Sequence, residues 1–262
     1  MRFSDTELKD FLEEKTNQYN SPAFIADDPV SIPHRFSKKE DIEISGFLSS
    51  VIAWGNRKAI IAAATRMMEL MDNSPHEFVV HHTAADLGRF KKFVHRTFNG
   101  RDAAYFIRAL KNIYSKHGGM ENIFLKSISP SDSELSSALS HFKATFYTLP
   151  KARTQKHLPD PLQNSSAKRM NMLLRWFVRN DKKGVDFGIW KSVSPSQLSI
   201  PLDVHTGNVA RKLGLLQRKQ NDWKAVMELN TRLRRFDPVD PVKYDFALFG
   251  LGVFEKFSRP LQ

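Results

Sequence analysis

Apolar residues recur at three- and four-residue spacing along most of the chain. That period predicts helices over Asp5–Asn17, Asp41–Trp54, Lys58–Met71, Arg101–His117, Ser131–Phe146, Ser166–Asn180, Val204–Leu213, Asp222–Arg235 and Pro241–Val253. Glycine is scarce inside these spans. The two-residue alternation of a half-buried strand is nearly absent, its weak instance being Phe24–Ile32. The predicted class is therefore all-α. Capping residues mark several starts: Ser131 and Asp132 with Glu134 behind them, Ser165 and Ser166, and Asn221 with Asp222. Pro- and Ser-rich connectors fall at Asn20–Pro33, Ser127–Ser133, Leu149–Ser166 and Ser192–Pro201. The longest, Leu149–Ser166, predicts a seam between an N-terminal helical lobe, 1–150, and a second lobe, 151–262, of one continuous unit. There is no internal repeat and no low-complexity tract.

Composition narrows the function. At 262 residues and 41% hydrophobic, with 20 Phe, the chain can build a substantial core. It has no cysteine, which excludes disulfides, thiolate zinc sites and cysteine-held iron–sulfur clusters. Three-ligand metal spacing is also absent, and no cofactor is implied. The N-terminal MRFSDTELKDFLEEK is charged and amphipathic rather than a signal peptide. No run of about 18 apolar residues suggests a membrane span, so the expected setting is the cytoplasm without membrane attachment. The net charge of +12 and pI near 9.8 point to a phosphate-rich partner. Between Lys168 and Arg235 there are 15 Lys/Arg against 5 Asp/Glu, so most of that excess sits in one quarter of the chain. Such a block favours a polyanion-binding face over charge spread for solubility.

Two segments carry the candidate chemistry: Ser165-Ser166-Ala167-Lys168-Arg169-Met170-Asn171-Met172-Leu173-Leu174, and Ile200-Pro201-Leu202-Asp203-Val204-His205-Thr206-Gly207-Asn208-Val209-Ala210-Arg211. The first puts a lysine in the opening turn of an apolar helix, where the helix dipole disfavours a cation. A positive helix end beside Arg169 favours the neutral amine, as a nucleophilic lysine requires. A surface lysine lying over Met172 is the competing reading. Asp203 follows a proline turn at a helix N-cap, where a carboxylate is held by amide groups whether or not it reacts. His205 beside it reads equally as a structural hydrogen-bonder.

Taken together, the two segments resemble the helix-hairpin-helix DNA glycosylase superfamily, which includes the endonuclease III and 8-oxoguanine glycosylase branches. The matching features are Lys-x-x-Asn before three aliphatic or Met residues, then Asp-x-His and a downstream Val-x-Arg. The resemblance implies a two-lobed fold with a central cleft. It implies Lys168 as the nucleophile that attacks C1′ of a damaged nucleotide, and Asp203 as the carboxylate that activates the amine or stabilises the cationic sugar. The implied partner is double-stranded DNA containing a damaged base, bound by a monomer. The separation of 35 residues between Lys168 and Asp203 is most similar to the archaeal 8-oxoguanine branch. That likeness implies a base pocket of Asp245 and Phe249, which share a helix face, with Met172. A core Phe and an arginine-paired Asp read equally well there. Asn56 and Arg57, after Ile44–Ala53, resemble the polar wedge that fills the space of an extruded nucleotide. Ser165, Ser166, Arg169, His205 and Arg211 complete the implied DNA contacts. As a whole the chain resembles a bacterial family of unassigned function, a distant branch of this superfamily.

Two departures stand out. The glycines that usually precede the lysine and present amides to a phosphate are missing from Leu162–Ala167. Thr206 and Asn208 occupy positions that related sequences often give to basic or aliphatic residues. The leading expectation is thus a glycosylase with β-elimination (AP) lyase activity, on an oxidised purine such as 8-oxoguanine. The alternatives are a non-catalytic nucleic-acid-binding protein on the same fold and a helical protein whose basic face meets an acidic partner.

Overall fold

The structure, a computed structural model, describes residues 4–129 and 131–257. Among them the order is α1 (Asp5–Tyr19), α2 (Lys39–Val51), α3 (Arg57–Leu70), α4 (Pro75–His81), β1 (Val94–His95), β2 (Phe98–Asn99), α5 (Gly100–His117), α6 (Met120–Leu125), α7 (Ser136–Phe146), α8 (Lys168–Val178), α9 (Val204–Lys212), α10 (Trp223–Phe236) and α11 (Asp245–Val253). The fold is all-α apart from the β1–β2 hairpin, in which Val94 pairs with Asn99 and His95 with Phe98. No helix of the described residues is long and apolar enough to cross a membrane.

The chain divides into two compact units. One comprises residues 4–24, 131–136 and 160–257; the other comprises 25–129 and 137–159. The division thus falls near the connector singled out by its composition, but α1 joins the later helices and not its sequence neighbours.

In the first unit, α1, α9, α10 and α11 close over Leu8, Leu12, Leu202, Val209, Val226, Leu229, Leu233, Leu248 and Leu251, all buried. Period 3.6 places these residues on single stripes, so each helix buries one face. Gly250 lets α1 approach α11: a methyl group there would lie 2.1 Å from the Tyr19 ring. Gly252 does the same for α9, with His205 Cβ 3.2 Å away. These contacts fix α11, and with it Asp245 at its first position.

The second unit is built on aromatic rings. Phe47, Phe98, Phe106, Phe142 and Phe146 are buried and meet at centroid distances such as 4.7 Å for Phe106–Phe146 and 5.2 Å for Phe98–Phe106. Tilted and edge-on pairs of this kind add about 0.5–1.5 kcal/mol each beyond their burial. A reciprocal cap of Asn99 and Asp102 starts α5, and Gly118 ends it in the left-handed conformation.

Three local expectations are corrected. Phe24–Ile32 is not a strand: Pro22 and Pro29 open short 3-10 turns, because proline fixes φ and removes the ladder N–H. The helix expected from Ser131 begins at Ser136, whose N–H and hydroxyl both donate to Glu134 at 2.6 Å. The Glu134 carboxylate therefore serves the start of α7 from outside, and Ser131 does not cap it. The helix expected from Pro241 opens with a 3-10 turn, Pro241–Tyr244, before α11.

Candidate functional site

The segment leading to the lysine turns into α8 without glycine. A 3-10 turn at Pro161–Gln163, capped by Asp160, ends on Asn164 in the left-handed conformation, φ +61°. Asn164 donates through its side-chain amide to Asp222 at 3.1 Å, and its carbonyl accepts from Trp223 N–H at 3.2 Å. Ser165 forms an antiparallel bridge with Asp222, and its hydroxyl accepts from Ala167 N–H at 3.3 Å. Ala167, buried and also left-handed at φ +47°, is the N-cap of α8 and offers no side-chain cap. The Ser166 carbonyl accepts from the Asn171 side-chain amide at 3.1 Å. Two positive-φ residues thus do what glycines would do elsewhere, at some cost for alanine.

Lys168 is the first residue of α8, and its Nζ lies 3.6 Å from Asp203 Oδ2. Both side chains are one-quarter exposed. Asp203 caps α9, accepting from Thr206 N–H at 3.0 Å through Oδ1, which leaves Oδ2 for the lysine. The Asp203 carboxylate stabilises the start of α9, but a cation at the N-terminus of α8 does nothing for that helix, so the lysine is not placed there for helix stability.

Behind this pair lies a buried ion cluster. Arg175, two turns after Lys168 on α8, reaches Asp245 Oδ2 at 2.5 Å and Asp186 Oδ1 at 3.3 Å. Its guanidinium carbon sits 4.2 Å from the centre of the Phe246 ring. Arg179 pairs with Asp186 and, at 2.9 Å, with Asp240 and Asp181. The Arg175, Arg179 and Asp186 side chains are at most 3% exposed. Burial pushes the Asp245 carboxyl up to about 6 although Arg175 and Lys168 pull it down; the Asp203 carboxylate adds to the rise. Asp245 is therefore within electrostatic reach of both members of the Lys168–Asp203 pair.

The other sequence-predicted residues take the following places. Met172 is buried on α8, one turn beyond Lys168. Phe249 is half-buried, edge-on to Phe24 at 5.8 Å and to Phe254 at 6.4 Å. His205 is exposed at the start of α9, and Arg169 is half-buried. Arg211 braces a loop, donating to Arg218 O at 2.8 Å and Asn221 Oδ1 at 2.6 Å. Asn56 is exposed and caps α3 through Ala59 N–H, with Arg57 half-buried beside it; both belong to the other unit. No group of three or more potential metal ligands occurs among the described residues. The other unit also has a pocket of about 360 Å³ lined by Lys39, Glu43, His76, Tyr114 and Glu121, among others, none of them anticipated from sequence.

A model of the family described as "Protein of unknown function (DUF2400)" matches residues 28–254. The chain belongs to the DUF2400 family. No curated protein and no solved structure matches it. For this DUF2400 chain, function must be argued from the site itself.

Sequence reasoning missed Arg175, Arg179 and Asp186, although a signal was there. Arg175 is enclosed by Leu173, Leu174, Trp176 and Phe177, and a cation in so apolar a helix has to find a buried carboxylate. The basic block is correspondingly less available than its count suggests. Arg175, Arg179, Arg211, Arg218, Arg232 and Arg234 are all bound to carboxylates or carbonyls within the unit.

Proposed function

We propose that the DUF2400 chain is a DNA glycosylase with associated AP lyase activity, acting on an oxidised purine such as 8-oxoguanine within a two-lobed helix-hairpin-helix type fold. The supporting observation is the 3.6 Å approach of Lys168 Nζ to Asp203 Oδ2 at the openings of two helices, with both groups partly exposed. Asp203 takes a proton from the Lys168 ammonium, and the neutral amine attacks C1′ of the nucleotide. The C1′–N bond breaks with its electron pair leaving on the base, which takes up the proton that Asp203 had accepted and so restores the Asp203 carboxylate. Opening of the sugar then gives an iminium between Nζ and C1′. Loss of a C2′ proton expels the 3′ phosphate, and water releases the lysine. Asp203 and Asp245 supply negative charge as the sugar becomes cationic.

Extruding a base costs a few kcal/mol, to be offset by contacts in a pocket. In this reading Met172 and Phe249 contribute to that pocket, with Asp245 bound to Arg175 behind them. The test is reductive trapping. A lesion-bearing duplex incubated with the protein and borohydride gives a covalent adduct, and Lys168→Gln gives none. No adduct on any oxidised base or abasic site overturns the proposal.

A further inference from the structure

Three stretches of the unit containing the β1–β2 hairpin are rich in cations. Residues 89–101 hold five Lys/Arg and no Asp/Glu, residues 54–60 hold two and none, and residues 148–159 hold three and none. The fold brings them to one place. His95 Nε2 lies 3.3 Å from the Trp54 carbonyl, and the Arg96 guanidinium lies over Gly55, 3.0 Å from where a methyl group would stand. Arg153 donates to the Thr97 carbonyl at 2.8 Å, and His157 stacks on Trp54 while meeting Phe98 edge-on at 5.0 Å. Arg89 is paired with Asp72 and Asp86, and Asp102 is buried and held by Arg153 and the Asn99 N–H.

Lys58, Lys91, Lys92, Arg96, Arg101 and Lys151 are all exposed, and none forms an ion pair among the described residues. The arginines of the 168–235 block differ in this respect, since most are engaged internally. Arg96 is the first residue of a two-residue hairpin turn, with φ +53°. Such turns usually give that position to Gly or Asn, so here a cationic side chain stands at the tip at some backbone cost.

We infer that this face is a binding surface for the phosphate backbone of nucleic acid, centred on Arg96 and separate from the Lys168 site. Six exposed cations with no ion pair among the described residues match a polyanion. A lipid surface would call for apolar anchors, but Phe90, Phe93 and Phe98 are buried and Val94 is the exposed apolar residue of the hairpin. The inference rests on the nucleic-acid partner of the proposed function but requires no chemistry at Lys168.

The test is binding of the full chain to a fluorescent DNA duplex by anisotropy across a salt series. Each phosphate neutralised contributes about 0.9 to the slope of log K against log salt. The triple variant Lys92→Ala/Arg96→Ala/Lys151→Ala, exposed throughout and checked for an unchanged melting curve, should lose about 2–3 in slope and at least tenfold in affinity. The double variant Lys182→Ala/Lys191→Ala, exposed lysines of the other unit, should bind as wild type does. Equal losses in the two variants would reduce the effect to net charge and overturn the inference. So would undiminished binding by the triple variant, or wild-type binding to phosphatidylserine vesicles but not to duplex. Borohydride trapping on the same proteins separates the two claims. Loss of duplex affinity in the triple variant with no adduct from wild type sustains this surface and sinks the lyase. An adduct formed equally well by the triple variant does the reverse.

Discussion

Arg175 offers the sharpest test of how the site is supported. Replacing it by Met keeps most of the side chain's length but removes the guanidinium that donates to Asp245 at 2.5 Å. Asp186 retains Arg179, whereas Asp245 is left buried with Lys168 as the opposite charge whose field reaches it. Breaking a buried pair from one side costs about 3–5 kcal/mol. For a chain of this size that corresponds to a fall in Tm of roughly 10 °C at pH 7.5, at about 2–4 °C per kcal/mol. The pH dependence has a definite sign. Asp245 has a folded-state value raised from 3.8 to about 6, so its protonation favours the folded state. That contribution is present below the unfolded value and lost as pH rises through the folded one. Loss of Arg175 raises the folded value further, so the difference from wild type should shrink between pH 7.5 and pH 5. Adding Asp245→Asn to Arg175→Met should recover a large part of the loss at pH 7.5. Calorimetric Tm values of wild type and the variants at both pH values measure this. A loss independent of pH, or a double variant no more stable than the single one, would refute the buried-pair argument.

Further expectations concern the turn before α8, a cap and the site's own pH response. Ala167→Val should lower stability by roughly 2 kcal/mol, because a β-branched residue fits φ +47° poorly, whereas Ala167→Gly should stay within about 0.5 kcal/mol of wild type in urea unfolding. Asp222→Ala should cost about 1–2 kcal/mol through the lost α10 cap, and more if the Asn164 contact also counts. The Arg218 guanidinium holds the Asp222 carboxyl below the usual range, so its contribution is present above the ordinary carboxylate value and fades as the solution becomes more acidic. The rate of adduct formation should rise with pH through an inflection near 6, as the Asp245 carboxylate ionises and supports the developing cation. Asp245→Asn should remove that inflection. An inflection unchanged in the variant would show that Asp245 does not act on the reaction.

Much of the helical frame could be read from the chain, because one-sided burial leaves the 3.6-residue period in α3, α5 and α10 and because Asp203 and Asp222 are effective N-caps. The short helices α4 and α6 were not legible, since six or seven residues give too little period to stand out from their loops. The β1–β2 hairpin was missed because two-residue strands carry no alternation. At the site, the pairing of Lys168 with Asp203 was implied by the family resemblance of their two segments, but the support beneath it was not. Arg175 and Arg179 add to the basic block in the sequence although the fold buries them, and nothing in the sequence of α1 shows that it packs against α11. Those facts depend on contacts distant in sequence, which a one-dimensional pattern does not encode.

The central claim is that the Lys168 amine forms a Schiff base with a damaged nucleotide. It is tested most directly by borohydride trapping on an abasic or 8-oxoguanine duplex, followed by mass spectrometry of the protein peptides. The account predicts an adduct on the peptide containing Lys168, lost in Lys168→Gln and strongly slowed in Asp203→Asn. An adduct on another lysine, or none with either duplex, would contradict it.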